Sequence, residues 1–174
     1  RDSLRQHHDW PVVVAPDLLG TEALTNKQKS RWAKVRLFDW TPFKDTLYLD
    51  ADTRVQGDVG AGFNILAGGW DMAITPSVNQ GADWLWHVGD EEREETRRYY
   101  DIQPTMLQGG VFFVRRNYYT ETLFQEWAGE WRCWQDEDQA ALLRALKACP
   151  VRLWLLGRSW NGGELVNHLF GRTR

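Results

Sequence analysis

Apolar residues along this chain gather in short blocks set between amphipathic stretches. WPVVVA (Trp10 to Ala15), TLYL (Thr46 to Leu49), DMAIT (Asp71 to Thr75), GGVFFV (Gly109 to Val114) and the segment Val151 to Leu155 are mostly apolar runs of strand length. Runs of this kind fit strands covered on both faces. Pro11 sits at the start of the first run, where a missing donor is tolerated. Between the runs the period changes. Asn26 to Phe38 puts Trp32, Val35 and Phe38 on one helical face and Lys and Arg on the other, until Thr41-Pro42 stops it. Gly57 to Leu66 reads as a turn and a short helix. Tyr118 to Trp131 and Asp138 to Ala148 read as helices by periodicity. Gly89 to Tyr100 carries mixed charges with acids ahead of bases, which predicts a solvated helix without an assigned function. Strands alternating with helices predict an α/β fold: a mostly parallel central sheet flanked by helices, one domain over residues 1–174.

Composition narrows the classes. The 174 residues, 43% of them hydrophobic, suffice for one sizeable core. A net charge of −3 gives no reason to expect nucleic acid as a partner. No apolar run approaches the roughly 20 residues of a membrane helix, and no signal-peptide pattern is visible. The two cysteines, Cys133 and Cys149, are too few for a disulfide framework and read as thiols, which predicts a reducing, cytoplasmic setting. The 11 tryptophans could stack on sugars, although most such rings fill core.

The candidate chemistry lies at the end of the second run, where LYL leads into Asp50-Ala51-Asp52. Ligands of open α/β sheets sit beyond the carboxyl ends of strands. Residues i and i+2 of a strand point the same way, so both carboxylates can converge on one point. Their repulsion calls for a cation between them. A hard divalent ion such as Mg²⁺ or Mn²⁺ takes oxygen ligands and keeps positions open for phosphate. The alternative is an Asp-Thr turn after a strand. A dehalogenase-type phosphatase also uses an Asp-x-Asp pair, but it wants Thr or Val where Arg54 stands, and it needs a later Lys and a downstream acidic pair. GDEEREE, starting at Gly89, is the one stretch that could fill that last role.

Several further pieces carry a resemblance. LYLDADT is followed, in order, by LQGGVFFV (Leu107 to Val114), Asp138-Gln139, Trp160-Asn161 and His168-Leu-Phe-Gly171, and Lys34 precedes Asp50 by sixteen residues. Together they resemble the GT-A glycosyltransferases of the family 8 type, which include glycogenin and lipopolysaccharide galactosyltransferases. The resemblance runs from about Trp10 to Gly171. It implies a GT-A fold and a metal-dependent transfer of a hexose from a nucleotide-diphosphate donor, with UDP-sugar favoured, to a carbohydrate, lipid-linked or protein acceptor, with retention at the anomeric carbon. A homodimer is compatible with it.

The same resemblance implies roles. Asp50, Asp52 and His168 would hold Mn²⁺ (or Mg²⁺), with Asp50 also near the donor ribose. Lys34, Ala51, Gln108, Gly109 and Gly171 would contact the donor. Asp138 would bind sugar hydroxyls and Gln139 would sit near the anomeric carbon. Gln108 departs from the family's usual Asn. The family opens with a nucleoside-binding strand, so the resemblance implies an N-terminally incomplete domain in which Arg1 to Trp10 forms the helix after that strand. Its basic motif after His168 is represented here only by Arg172 or Arg174. Without the family match, each of these residues also has an ordinary reading: Lys34 as a solvated helix charge, Asp138 as an acid favoured at a helix start, His168 as a hydrogen-bonded core residue. A non-catalytic carbohydrate-binding protein on the same fold is a third alternative beside transferase and phosphatase.

Overall fold

The structure is a computed structural model and describes residues 2–16, 21–77 and 85–169. After a single turn α1 (Asp2–Arg5), helix α2 (Asn26–Val35) begins at Thr25. The Thr25 side chain accepts from the Gln28 backbone while Gln28 reaches back to Thr25, a reciprocal cap for the orphan amides of the first turn. The helix breaks at Arg36, and a short α3 (Leu37–Trp40) follows. The expected single helix to Phe38 is therefore two pieces. Next come β1 (Asp45–Leu49), β2 (Thr53–Val55), α4 (Ala61–Ala67), β3 (Met72–Pro76), α5 (Asp90–Arg98) and β4 (Leu107–Arg115). The long α6 (Tyr118–Trp134) and α7 (Asp138–Ala148) precede β5 (Leu153–Leu155), and β6 (Val166–His168) closes the series.

Four strands form one sheet in the order β1-β4-β3-β5. The α/β class and the helix-flanked sheet agree with the expectation from sequence, but the strand directions are mixed. β4 runs antiparallel to both β1 and β3, and only β3 and β5 are parallel. The cause of the misreading is in β4. Phe112 and Val114 face α6 and α7, while Val111 and Phe113 face α4 and the chain around Val59. A strand covered on both faces reads as a continuous apolar run whichever way its neighbours point.

Two other expectations are corrected. Trp10 to Ala15 forms no strand. Val13 is 43% and Val14 70% exposed, and Trp10 is held instead by stacking on His8 and by an edge contact with Phe63. A strand needs a hydrogen-bonded neighbour, which an apolar run alone does not supply. Helix α5 is also not wholly solvated. Glu92 and Thr96 are buried against Arg144 of α7, whose guanidinium bonds Glu92 at 3.0 Å and Glu130 at 2.7 Å. Both cysteines are free, as expected. No helix among the described residues is long and apolar enough to cross a membrane.

Two buried tryptophans set the start of α7. Helix α6 ends at Gln135 in the left-handed region (φ 53°). The Trp131 indole then donates to the Asp136 carbonyl and the Trp127 indole to the Asp138 carbonyl, both at 2.8 Å. These rings fill core and also fix the α6–α7 turn, which points Asp138 and Gln139 toward the end of β4.

Candidate functional site

The Asp50–Thr53 segment is both a turn and a ligand cluster. Asp50 donates its amide to Gly110 at the end of the β1–β4 ladder (2.8 Å). The Asp50 carbonyl accepts from the Thr53 amide (3.1 Å) and hydroxyl (2.7 Å), which closes the turn. Thr53 then opens β2, which pairs antiparallel with β6 and sets Thr53 opposite His168. This small ribbon carries His168 to the acidic pair. Its Nε2 lies 3.1 Å from Asp52 Oδ1 and 4.0 Å from Asp50 Oδ2. One ligand atom from each of Asp50, Asp52 and His168 lies within 4.8 Å of the others.

The far side of the imidazole is also fixed. His168 Nδ1 is 2.6 Å from Asn161 Oδ1, and the Asn161 amide nitrogen donates to Thr75 Oγ1 at 3.1 Å. A carbonyl oxygen only accepts, so Nδ1 carries the proton. In the neutral ring Nε2 then turns its lone pair toward two carboxylates. That arrangement is repulsive until a cation, or a second proton on the ring, enters among them. Orientation of a ligating histidine through its other nitrogen is the usual second layer of a metal site. Two carboxylate oxygens and one imidazole nitrogen form a donor set that could hold a divalent metal ion.

Lys34 is no solvated helix charge. It is 5% exposed, and its Nζ lies 2.8 Å from Asp138 Oδ2 and 3.1 Å from Asp50 Oδ1. Burial alone would lower the pKa of its ammonium, but the charges of Asp138 and Asp50 and the hydrogen bond to Asp138 outweigh this and hold it above its ordinary value. Burial pushes the Asp138 carboxyl up, yet Lys34 opposes it by charge and hydrogen bond, and the net shift is downward. Both groups stay ionised. The Tyr48 hydroxyl donates to Asp50 Oδ1 at 2.9 Å. Burial, the largest influence, raises its pKa above the ordinary phenol value.

The remaining expected residues meet at the same place. Gln139 Nε2 donates to Gln108 Oε1 at 2.9 Å. Ala51, Gln108, Gly109, Asp138 and Gln139 line a cavity of about 620 Å³ together with Lys34, Asp50, Asp52 and His168. Gly110 has no room for a side chain: a Cβ there would lie 2.2 Å from His168 Cε1 and 3.0 Å from Asp50 Oδ2. Gly171, with Arg172 and Arg174, lies outside the described residues. The acidic stretch Asp90 to Glu95, which a phosphatase reading would need, does not line this cavity.

Sequence reasoning missed Tyr48 and the function of Asn161 as the partner of His168. Tyr48 stands near the end of β1, two positions before Asp50, and its hydroxyl reaches that carboxylate, a spacing open to reading. Asn161 was marked only through the Trp160-Asn161 piece of the resemblance, which did not assign it to His168. The tie from Arg31 to Glu137 and Asp136, which holds α2 against the α6–α7 turn, was missed as well.

No family model matches this chain, and no curated protein matches it. Solved structures do. The bifunctional glycosyltransferase WbbM, in its apo form, superposes with a TM-score of 0.58 over 78% of this chain at 16% identity. Mouse xyloside xylosyltransferase 1, also apo, superposes with a TM-score of 0.52 over 92% of this chain at 13% identity. The chain spans 26% of the first and 58% of the second. The shared feature is the fold, a GT-A-like glycosyltransferase architecture.

Proposed function

We propose that this chain carries the donor site of a metal-dependent glycosyltransferase of the family 8 type. One observation carries the reading. Asp50, Asp52 and His168, brought from two distant parts of the sequence, present three ligand atoms within 4.8 Å of one another. They do so on the wall of a cavity that also holds Lys34, Asp138 and Gln139. The fold shared with two glycosyltransferases supports the same reading.

Asp50, Asp52 and His168 would hold Mn²⁺, whose charge offsets the negative charge that grows on a departing nucleoside diphosphate. The chain's own residues do the rest. Lys34 adds a second, permanent positive charge near the diphosphate. Its Asp138 and Asp50 partners hold its ammonium in place, so no reorganisation is needed. Gly110 leaves room for the His168 ring close to the β4 backbone, and Gly109 lets Asp138 and Lys34 approach it. Asp138 accepts from donor-sugar hydroxyls, and the Gln108–Gln139 pair offers an amide to the same sugar. Paired with Lys34, the Asp138 carboxylate is a weak nucleophile, which favours attack by the acceptor on the face the leaving group vacates, with retention. Accumulation of a glycosyl-enzyme, visible by mass, would refute that route. Uridine diphosphate is the donor nucleotide the family resemblance favours.

Calorimetric titration of UDP with and without Mn²⁺ tests the reading. Binding that requires the metal and is lost in Asp52→Ala, with the fold retained, supports it. UDP binding indifferent to metal, or glycan binding that needs neither metal nor nucleotide, contradicts it. Hydrolysis of a generic phosphate ester that is lost in Asp50→Asn would support the phosphatase instead.

A further inference from the structure

One wall of the cavity comes from a turn that the donor site leaves unused. Residues Leu85 to Val88 form a tight turn, closed by the Val88 amide donating to the Leu85 carbonyl at 3.0 Å. Its two ends are anchored. Leu85 (0% exposed) and Val88 (2%) pack with Met106, Ala140 and Leu143, beneath the first turns of α7. Arg93 ties down the Val88 carbonyl at 2.8 Å. The two middle residues are thereby held in opposite circumstances. Trp86 is 57% exposed. His87 lines the same cavity as Gln108, Asp138 and Gln139.

Both side chains are costly as they stand. The Nε2 atom of His87 is shielded from solvent and has no hydrogen-bond partner among the described residues. A shielded polar atom without a partner is expensive, and here it adjoins a cavity large enough for a ligand to supply one. An indole more than half exposed is unusual for so large an apolar ring, and its position is fixed by the anchored turn. The two rings meet edge to face, with centroids 5.5 Å apart. The result is an exposed aromatic plate in edge contact with the imidazole that lines the cavity. A pyranose, with apolar C–H faces and an equatorial belt of hydroxyls, matches this pair. Gln139 and Asp138, which line the same cavity, also suit hydroxyls.

We propose that the Leu85–Val88 turn is the acceptor subsite, and that the acceptor is a saccharide. Trp86 stacks on one face of its terminal sugar. His87 Nε2 bonds a ring hydroxyl and so orients the acceptor toward the cavity. The proposal rests on the transferase reading and extends it by naming the class of acceptor and the residues that select it.

The test uses this chain with UDP and MnCl₂ present and an arrayed library of fluorescently labelled saccharides as probe. The best binder is then measured by fluorescence polarisation. The wild type should bind at least one saccharide. Trp86→Ala should weaken that binding about tenfold or more, and His87→Ala about fivefold. Trp86→Phe and His87→Gln, which keep a ring and a hydrogen-bonding group, should recover most of it. Metal-dependent UDP affinity and melting temperature should stay at wild-type values in all four. Saccharide binding unchanged in Trp86→Ala and His87→Ala overturns the proposal. So does a wild type that binds UDP with Mn²⁺ but no saccharide, and that result leaves the donor-site reading standing. A wild type that binds saccharides through Trp86 but shows no metal-dependent UDP binding would sink the donor-site reading while sparing the turn as a sugar site.

Discussion

Adding a single methyl group to Gly110 probes the whole ligand cluster. The Cβ of Gly110→Ala would lie 2.2 Å from His168 Cε1, 2.8 Å from Nδ1 and 3.0 Å from Asp50 Oδ2. An ordinary contact begins near 3.4 Å. The imidazole must therefore move by about 1 Å, or the β4 backbone must bend away. The ring has little freedom to yield. It is 7% exposed, bonded to Asn161 on one side and set against Asp52 on the other. Shifting it breaks the bond that fixes its tautomer and opens the three-ligand geometry. Overpacking of this kind costs about 1–3 kcal/mol. For a chain of this length that lowers the melting temperature by roughly 2–12 °C. Loss of an orienting partner weakens metal affinity by about 10–100-fold. Calorimetric Mn²⁺ titration alongside a thermal melt reads both quantities. Gly110→Ala with wild-type metal affinity and an unchanged melting temperature would refute the claim that His168 is a pinned ligand.

Two further outcomes follow from the charge pairs. Lys34→Met strands a buried carboxylate at Asp138, so urea denaturation should show a loss of about 3–5 kcal/mol; a near-neutral result would mean that water reaches the pair. Asp71 governs an acid limb of stability. Burial alone would raise its pKa, but hydrogen bonds from Arg152 and Asn117 prevail and hold it below the ordinary 3.8. A depressed carboxyl stabilises above its unfolded pKa, and this contribution is lost as pH falls through the lower folded value. Urea midpoints followed from about pH 6 to about pH 2.5 should fall less steeply in Asp71→Asn than in the wild type, and parallel curves would remove Asp71 from the acid response.

The legible part of the fold was what local pattern dictates. Helix α7 begins and ends where its periodicity placed it, and β4 is buried on both faces, as its continuous apolar run predicted. Strand direction was not legible, because burial of both faces erases the difference between parallel and antiparallel neighbours. The Trp10–Ala15 run misled for a related reason: strand propensity says nothing about whether a partner strand lies alongside. In the site, the convergence of Asp50 and Asp52 was argued from strand alternation, but it is the turn after β1, closed by Thr53, that brings them together. His168 and Lys34 could not be argued locally. Their positions depend on the β2–β6 ribbon and on the packing of α2 against α6 and the α6–α7 turn, and only the family resemblance pointed to them. Tyr48 was within reach of a spacing argument like that for the aspartates. Asn161 was named by the resemblance, but its tie to His168, like the whole of the His87 reading, comes only from what surrounds it in space.

The central claim is that Asp50, Asp52 and His168 clasp one cation. Pulsed electron paramagnetic resonance of the Mn²⁺-loaded chain tests this directly, because an imidazole nitrogen bound to the ion modulates the echo. The account predicts that modulation in the wild type, its disappearance in His168→Ala and the loss of bound Mn²⁺ in Asp52→Ala. Bound Mn²⁺ without nitrogen modulation in the wild type, or full Mn²⁺ binding in Asp52→Ala, would contradict it.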